Sequence, residues 1–414
     1  MNLAHKYSYE KVFIAAMLIL FSFFAVGFVK DFAGDQANVF FAKTGDYMAD
    51  YYNVAKYCSE KNIYHFGETD PLSHEHAYPP LTYMIFYYLS KCANYLNLGA
   101  FEAGRGTTIG LAVSSFFMFF ISALFYVILY DAYNGKKTYK FLCSTILLLS
   151  SVFIFSFERG NTILLAAACL FFFILNYKSD SKVIKELSFV VLAVAAALKA
   201  YPAIFGILLL FEKRYKEAIR LAIYGLLFTF LPFLFFKGGF GNIPIWLNNL
   251  SANSNAYNYG VFPRFNFRFF ASRISDPALK ETVYRIFPKI DFLLCGAATL
   301  LSFFHNKTWK KILQLLLVIV ILPVNSAKYC GLYLFLAIIL FFNEEQKTKF
   351  DWLYLALFVL VLNPYQIIYR GGIQEWNITA VLMNLSASLM LILLMTESVL
   401  MAVKFTRSKA KRFS

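Results

Sequence analysis

Charged residues are scarce in this sequence. Asp, Glu, Lys and Arg make up 15% of its 414 residues, whereas a soluble domain typically carries about 25%. Hydrophobic residues make up 59%, which leaves too little polar surface to cover a water-soluble globule. Strand-like alternation is also absent, and the apolar runs of roughly 15–25 residues match the length of membrane-crossing helices. The sequence therefore predicts an all-α polytopic membrane protein.

Acidic residues are few, with 24 Asp and Glu against 39 Lys and Arg, and the net charge is +15. In a soluble protein this balance would suggest nucleic acid as a partner. Here no basic segment forms a soluble module, and the basic residues fall in short loops between apolar runs. We therefore expect the membrane lipid, and no nucleic acid, as a partner.

Metal-binding patterns are missing as well. The six cysteines show no CxxC or metal-type spacing. His74, Glu75 and His76 are too few, within three residues, to complete a metal site, so the sequence supports no metal and no cofactor, and binding of a divalent cation stays open. Cys58 and Cys92 both fall in the first predicted outer loop, where a disulfide between them is one of the open alternatives.

Charge asymmetry sets the predicted topology. With the N-terminus inside, every short inner loop and the C-terminal tail are basic, provided that residues 79–97 lie at the interface and do not cross. This gives about 12 spans in a single integral membrane domain over residues 1–414, with both termini cytoplasmic and long outer loops at 31–106 and 237–288. The predicted spans are 12–30, 107–131, 141–157, 161–177, 187–199, 203–212, 218–236, 289–305, 311–323, 329–343, 350–363 and 377–403.

The first outer loop contains two carboxylates that are candidates for proton transfer. Asp46 and Asp50 are four residues apart, so both face the same side if the segment is helical. A carboxylate among tyrosines at a membrane surface can act as a general base, although ordinary surface acids have the same spacing. Tyr78 precedes two prolines and an apolar stretch, and is a candidate substrate contact.

Two further outer turns carry charge at a span end. Glu158, Arg159 and Asn161 lie in a tight turn, where they form either an ion pair at the membrane edge or a substrate contact. Lys199 and Tyr201 interrupt an apolar stretch just before Pro202, and a lysine at this edge either snorkels or contacts substrate.

The second long loop places positive charge on the outer side, against the general trend. Arg264 and Arg268 are four residues apart between aromatic residues, and arginine binds phosphate through paired hydrogen bonds. Lys328 and Tyr329 follow a proline at another outer span end. Arg264 and Arg268 favour an outer site for the phosphate head of a lipid, and Lys328 and Tyr329 are candidate lining residues.

Five segments occur in an order that resembles the GT-C superfamily of glycosyltransferases. Within it, they are similar to family GT87 (formerly DUF2029), the polyprenol-phosphate-mannose-dependent mannosyltransferases. The matching segments are Asp46 followed eighteen residues later by Tyr64, Tyr78–Leu81, Arg159–Thr162, Leu198–Pro202 and Leu322–Tyr329. The sequence departs from the family pattern where Lys328 or Tyr329 replaces a histidine and where the Gln of a Gly-Gln turn is missing.

The resemblance implies a hexosyltransferase that moves a sugar, mannose by family analogy, from a polyprenyl-phosphate donor to a lipid-linked or glycan acceptor with inversion. Asp46 aligns with the family's catalytic base, and Lys199, Arg264 and Arg268 would neutralise the leaving phosphate. It places the enzyme in the plasma (inner) membrane, with the active site on the periplasmic or extracellular face. Such donors need no nucleotide site, and the sequence has no Walker or GxGxxG motif.

Two other functions remain open at the level of sequence. An O-antigen polymerase or ligase would share about 12 spans and outer arginines, but would not need an early outer Asp. A transporter or flippase would carry ionisable residues at mid-membrane and often repeat symmetry. Here the charges cluster at span ends, and no repeat is visible.

Overall fold

The structure, a computed structural model, is built almost entirely of helices. It describes residues 8–30, 36–37, 40, 48–58, 63–65, 76–93, 107–256, 265–266, 268–271, 274–323, 327–369 and 376–413. The α-helices among these residues are α1 Ser8–Lys30, α2 Ala49–Tyr57, α3 Pro80–Ala93, α4 Thr108–Ala132, α5 Lys137–Leu149, α6 Ser151–Arg159, α7 Ile163–Asn176, α8 Lys182–Leu198, α9 Ile207–Phe211, α10 Tyr215–Phe230, α11 Asn242–Ala256, α12 Arg268–Ala271, α13 Pro277–Leu301, α14 Thr308–Ile321, α15 Leu334–Asn343, α16 Asp351–Leu362 and α17 Ile378–Phe413.

Short 3₁₀-helices extend or join several of these helices. They cover Ile63–His65, Tyr201–Gly206, Leu231–Phe235, Gly239–Gly241, Ser302–Phe304 and Lys328–Tyr333. One antiparallel strand pair, β1 (Ile368–Tyr369) with β2 (Trp376–Asn377), precedes α17 and pairs Ile368 with Asn377. The expectation of an all-α architecture is therefore met across the described residues, apart from this small hairpin.

Five of the described helical segments are long and apolar enough to cross a membrane. They are Ser8–Lys30, Thr108–Ala132, Tyr215–Phe235, Pro277–Phe304 and Ile378–Thr406. Their outward faces are apolar, as on α4, where Phe116 and Phe119 are 74% and 64% exposed. Such faces suit lipid contact, since they would be unfavourable in water.

All twelve predicted apolar runs fall on helical residues, but several of the helices are short. Ile163–Asn176 and Asp351–Leu362 have 14 and 12 residues, or about 21 and 18 Å at 1.5 Å per residue. A straight crossing needs about 20 residues. The count of 12 spans therefore stays a prediction, and so does the interfacial position of the 14-residue helix α3.

The predicted span 141–157 is divided in two. Helices α5 and α6 meet at Ser150 with a bend of 54°. The Ser150 hydroxyl donates to the Leu147 carbonyl at 2.7 Å and accepts from the Phe153 amide at 3.4 Å, so one side chain serves both helix ends. A serine side chain can replace backbone hydrogen bonds of a helix in this way. This explains the bend, although no proline or glycine lies at the break. Counted as one broken span, the pair raises the number of candidate spans to six.

The chain divides into two compact units made of discontinuous segments. Unit 1 comprises residues 1–41, 129–155 and 260–414, and unit 2 comprises residues 42–128 and 156–259. In unit 1, α14 and α15 are buried over most of their length and form the centre. Helix α17 packs against α14 and α16, where the Lys310 ammonium lies 2.5 Å from a Glu397 carboxylate oxygen and the Tyr354 hydroxyl donates to the other oxygen at 3.0 Å.

Unit 2 has an aromatic core at one end of a close helix pair. Helices α7 and α8 pack against each other, and both contain small buried residues, at 166–168, 193, 195 and 197. Small side chains let helix backbones approach closely in a membrane. The aromatic core lies where α2 and α3 meet the segment after α10, and contains Tyr51, Tyr83, Phe86, Phe233 and Phe236. The same interface positions the candidate site.

Candidate active site

Asp50 of α2 is held by three hydrogen bonds from the turn between α6 and α7. Arg159 donates to Asp50 Oδ1 from Nε at 3.2 Å and from Nη2 at 2.5 Å, and Asn161 Nδ2 donates to Oδ2 at 2.6 Å. The Asp50 and Arg159 side chains are only 17% and 16% exposed. Both carboxylate oxygens are therefore engaged in a partly buried, charge-assisted pair, which is stronger than a surface pair.

Gly160 allows this turn to approach α2. Its φ angle is +66°, a left-handed conformation that glycine adopts without strain. A Cβ atom at Gly160 would lie 2.6 Å from Tyr51 Cβ, which is closer than van der Waals contact allows. The amide of Met48 donates to the Glu158 carbonyl at 2.6 Å, and Asn161 Oδ1 accepts from the Ile163 amide at 2.9 Å. The turn therefore both starts α7 and fixes the beginning of α2.

Tyr78 and Lys199 lie together at the ends of α3 and α8. The Lys199 ammonium is 4.6 Å from the centre of the Tyr78 ring, within range of a cation–π contact. The Thr82 hydroxyl donates to the Leu198 carbonyl at 3.4 Å, which joins the start of α3 to the end of α8. Tyr201 is the first residue of the following 3₁₀-helix and is half-buried.

Packing explains why Lys199 and Asn161 lie at the same end of unit 2. Helices α7 and α8 are consecutive, antiparallel and joined by a short connection, so the start of α7 adjoins the end of α8. Leu81, Ala166, Ala197 and Leu198 form one buried apolar cluster that includes the start of α3. The structure thus brings the predicted residues Asp50, Glu158, Arg159, Asn161, Tyr78, Lys199 and Tyr201 to one end of unit 2.

Buried phenols line the base of this region. The Tyr64 hydroxyl donates to the Tyr78 carbonyl at 3.5 Å, and the Tyr83 hydroxyl accepts from the Tyr78 amide at 3.2 Å. Burial raises the pKa of Tyr64 and of Tyr83 above that of a free phenol, with a smaller contribution to Tyr64 from the neighbouring Cys58. Both phenols therefore remain neutral near pH 7 and act as fixed hydrogen-bonding groups.

Unit 1 contains Lys328 and Tyr329, at the span end that the sequence predicts to be outer. Lys328 begins a 3₁₀-helix and is only 8% exposed, and its ammonium lies 5.9 Å from the Phe155 ring centre. Tyr329 stacks on the same ring at 6.4 Å and an interplanar angle of 20°. Of Arg268, the backbone is described as the first residue of α12. Asp46 and Arg264 lie outside the described residues.

The structure also describes the cysteines and one histidine that the sequence singled out in the first predicted outer loop. Cys58 and Cys92 are both free thiols, the first buried and the second exposed, so the disulfide does not form. His74 and Glu75 lie outside the described residues, while His76 is buried with Nδ1 3.0 Å from the Ile63 carbonyl. Within the described part of the chain, no three His, Cys, Asp or Glu side chains group as metal ligands.

Several residues that join separate helices and segments around the candidate residues were not predicted from the sequence. Ser114 is 3.0 Å from the Tyr52 hydroxyl and links α4 to α2. In unit 1, the buried Asn266 and Asn384 join three distant segments. No motif or charge pattern indicates these residues, since their roles follow only from which helices pack together.

Comparison with known protein families identifies the family of this chain. The model of glycosyltransferase family 87 matches residues 76–396. This match includes the candidate residues from Tyr78 to Tyr329 and begins after Asp46 and Asp50. No curated protein and no solved structure matches the chain. Since the family model covers more than half of the sequence, and since the helices are membrane-like, the chain belongs to glycosyltransferase family 87 and is a membrane glycosyltransferase that uses a sugar donor and an acceptor.

Proposed function

We propose that this enzyme transfers a sugar, with mannose as the first candidate, from a polyprenyl-phosphate donor to a lipid-linked or glycan acceptor. The transfer takes place with inversion on the non-cytoplasmic face of the plasma (inner) membrane, with Asp46 as the general base. The observation that carries this proposal is the bonded group of Asp50, Arg159 and Asn161, four residues after Asp46, in a member of a glycosyltransferase family. Fixed polar groups at the ends of apolar helices suit a substrate with a membrane-embedded chain and a polar head.

The proposed reaction is a single displacement. Asp46 removes the proton of the acceptor hydroxyl as its oxygen forms a bond to the anomeric carbon. The bond from that carbon to the phosphate oxygen breaks, and its electron pair leaves with the lipid phosphate. One base and one displacement give inversion, and a positioned base typically accelerates such a step by about 10²–10⁴-fold.

Asp50 is better suited to positioning than to proton transfer. Its two oxygens already accept three hydrogen bonds from Arg159 and Asn161. These hydrogen bonds occupy both carboxylate oxygens and hold them towards Arg159 and Asn161. We therefore propose that Asp50 fixes the position of α2, while Asp46, four residues earlier in the sequence, takes the proton.

Cationic groups would stabilise the leaving phosphate as its negative charge grows. Lys199 of unit 2 is one such group, and its contact with the Tyr78 ring limits the positions of its ammonium. Within unit 1, Arg264, Arg268 and Lys328 are the candidate cations for a lipid phosphate and Tyr329 is a candidate contact of the sugar or lipid; within unit 2, Tyr201 is such a contact.

A transfer assay tests the proposed function. Purified protein is offered polyprenyl-phosphate-mannose and related donors with a lipid acceptor, and the anomeric configuration of the product is determined by NMR. Asp46→Ala should lower kcat by about 10²–10⁴-fold, with Asp46→Asn similar because an amide cannot take the proton.

Two results would reject the proposal. One is full activity of Asp46→Asn, which would fit an O-antigen polymerase or ligase better. The other is movement of labelled substrate across vesicles without bond formation, which would identify a transporter or flippase.

A further inference from the structure

Helices α8 and α10 of unit 2 begin side by side, and both beginnings are basic. The Lys185 ammonium lies 3.9 Å from a Glu217 carboxylate oxygen. Similarly, the Arg220 guanidinium lies 3.2 Å from a Glu186 oxygen, so the first turns of the two helices are in register. Lys199 follows the other end of α8, roughly 25 Å from its start at 1.5 Å per residue. These basic helix starts therefore lie at the opposite end of unit 2 from the candidate active site.

The glutamates at this end of unit 2 already have basic partners. The Lys178 ammonium lies 2.6 Å from a Glu212 oxygen. Arg214 donates to Glu217 through Nε and to the Tyr177 carbonyl through Nη2 at 3.0 Å, so its side chain is held against the end of α7. Together with the two contacts between α8 and α10, these pairs engage every glutamate of the two helix starts and of the turn before α10.

Three exposed lysines at the same end have no acidic partner. Lys182 is the first residue of α8, and Lys213 and Lys216 lie on either side of Arg214 at the start of α10. No carboxylate among the described residues forms an ion pair with these lysines, and this includes the nearby Asp180. Lys213 and Lys216 line an open depression of about 470 Å³. A cluster of positive charge that the protein does not neutralise attracts an anion.

The backbone at Lys213 would suit glycine better than lysine. Its φ angle is +58°, in the left-handed region that glycine adopts without strain. The Lys213 amide donates to the Leu210 carbonyl at 3.0 Å, and the Arg214 amide donates to the Leu209 carbonyl at 2.8 Å. This is the hydrogen-bond pattern of a helix end that glycine usually closes. The turn itself therefore gives no reason for a lysine at this position.

Apolar side chains continue from the lysines along both helices. Val183 and Leu187 of α8 are exposed, and so are Tyr215 and Ile219 of α10. Helix α10 is also part of the candidate membrane span Tyr215–Phe235. An anion at the lysines would thus have apolar surface beside it, which suits the acyl chains of a lipid. Basic pockets between membrane helices are common binding sites for anionic lipid head groups.

We propose that Lys182, Lys213 and Lys216 form a binding site for the phosphate head group of an anionic phospholipid, with its acyl chains on the adjacent faces of α8 and α10. This lipid is distinct from the sugar donor, and the site does not depend on the proposed function. Both loops that carry the lysines are inner loops in the predicted topology. There, the bound lipid belongs to the cytoplasmic leaflet.

Binding of fluorescent phosphatidylglycerol to the purified full chain in a nonionic detergent tests the site. The triple variant Lys182→Gln, Lys213→Gln and Lys216→Gln should bind this lipid about 10–100-fold more weakly, as expected when three lysines near an anionic head group are lost. Phosphatidylcholine should compete poorly, because its head group has no net charge. Inorganic phosphate should also compete poorly, because it has no acyl chains.

A second triple variant serves as the matched control. Lys137→Gln, Lys349→Gln and Lys404→Gln remove the same charge at three exposed lysines of other predicted inner segments. Since these lysines lie apart from the cluster, this variant should change the affinity for phosphatidylglycerol by less than about twofold.

Lys213→Gly separates binding from folding. Glycine adopts the left-handed conformation without strain, so the Tm should stay equal or rise. The affinity for phosphatidylglycerol should nevertheless fall by about fivefold, because one ammonium group is lost.

Four results would overturn the proposal. Similar losses of affinity in the two triple variants would show a general attraction to charge, and phosphatidylcholine that binds as tightly as phosphatidylglycerol would show that the head-group charge is not recognised. Inorganic phosphate that competes as well as the lipid would identify a site for the free anion. Unchanged lipid binding with an altered oligomeric state of the lysine variant would assign the cluster to contact with a second copy of the chain.

Discussion

At the scale of single residues, hydrogen-bond partners indicate a role for Asp50 that its spacing from Asp46 does not. Asp46 and Asp50 have the same chemistry and a helical spacing, and either suits a general base. The structure gives Asp50 two partners from a turn more than one hundred residues later. Sequence spacing predicted that Asp50, Arg159 and Asn161 matter, but not that they contact each other, because the contact depends on how α2 packs against the start of α7.

This contact predicts a measurable coupling between Asp50 and Arg159. Each alanine variant should lower the free energy of unfolding, because it leaves a partly buried charge without its main partner. The double variant should lose less than the sum of the two, by about 1.5–3 kcal/mol. The measurement is a double-mutant cycle from denaturant unfolding in detergent. Additive losses of unfolding free energy would show that the contact between Asp50 and Arg159 does not itself stabilise the fold.

At the scale of helices, the apolar runs predicted where the helices lie, but they did not predict where a helix is broken. All twelve predicted apolar runs are helical, since length and hydropathy dominate in lipid. The break at Ser150 was missed, because a serine hydroxyl that serves two helix ends has no distinctive sequence signal. The packing of α7 on α8 likewise becomes apparent only once the two helices are paired.

The close approach of the α6–α7 turn to α2 predicts an effect of one added methyl group. Gly160→Ala introduces a Cβ against Tyr51 and strains a left-handed residue, and should destabilise the fold by about 1–3 kcal/mol. The added methyl group should displace α2 from the turn. Transfer activity should therefore also fall, because α2 carries Asp50. Thermal unfolding and initial rates measure the two effects.

Gly225→Ala is the matched control for this prediction. Gly225 lies within α10 of the same unit, and an added Cβ there meets nothing within 4 Å. Alanine is a better helix former than glycine, so stability should stay equal or rise. If both variants behave alike, the contact between Gly160 and Tyr51 does not control the position of α2.

At the scale of the whole molecule, orientation in the membrane is the property on which the proposed chemistry depends. The excess of basic residues in alternate short loops predicts that both termini are cytoplasmic and that residues 31–106 lie outside. The helices themselves are compatible with either orientation. The natural cysteines offer a test, because among the six Cys92 of α3 alone has an exposed side chain, and Cys58, Cys143, Cys295 and Cys330 are buried.

Intact cells that express the unmodified chain are treated with a membrane-impermeant maleimide. The thiol of Cys92 should react from outside, and Cys92→Ser should lose this labelling, because the buried thiols are shielded from water. Labelling of Cys92 only after the cells are opened would put the first loop, and Asp46 with it, in the cytoplasm. Transfer on the outer face would then be ruled out, since the acceptor hydroxyl and its base would lie on opposite sides of the membrane.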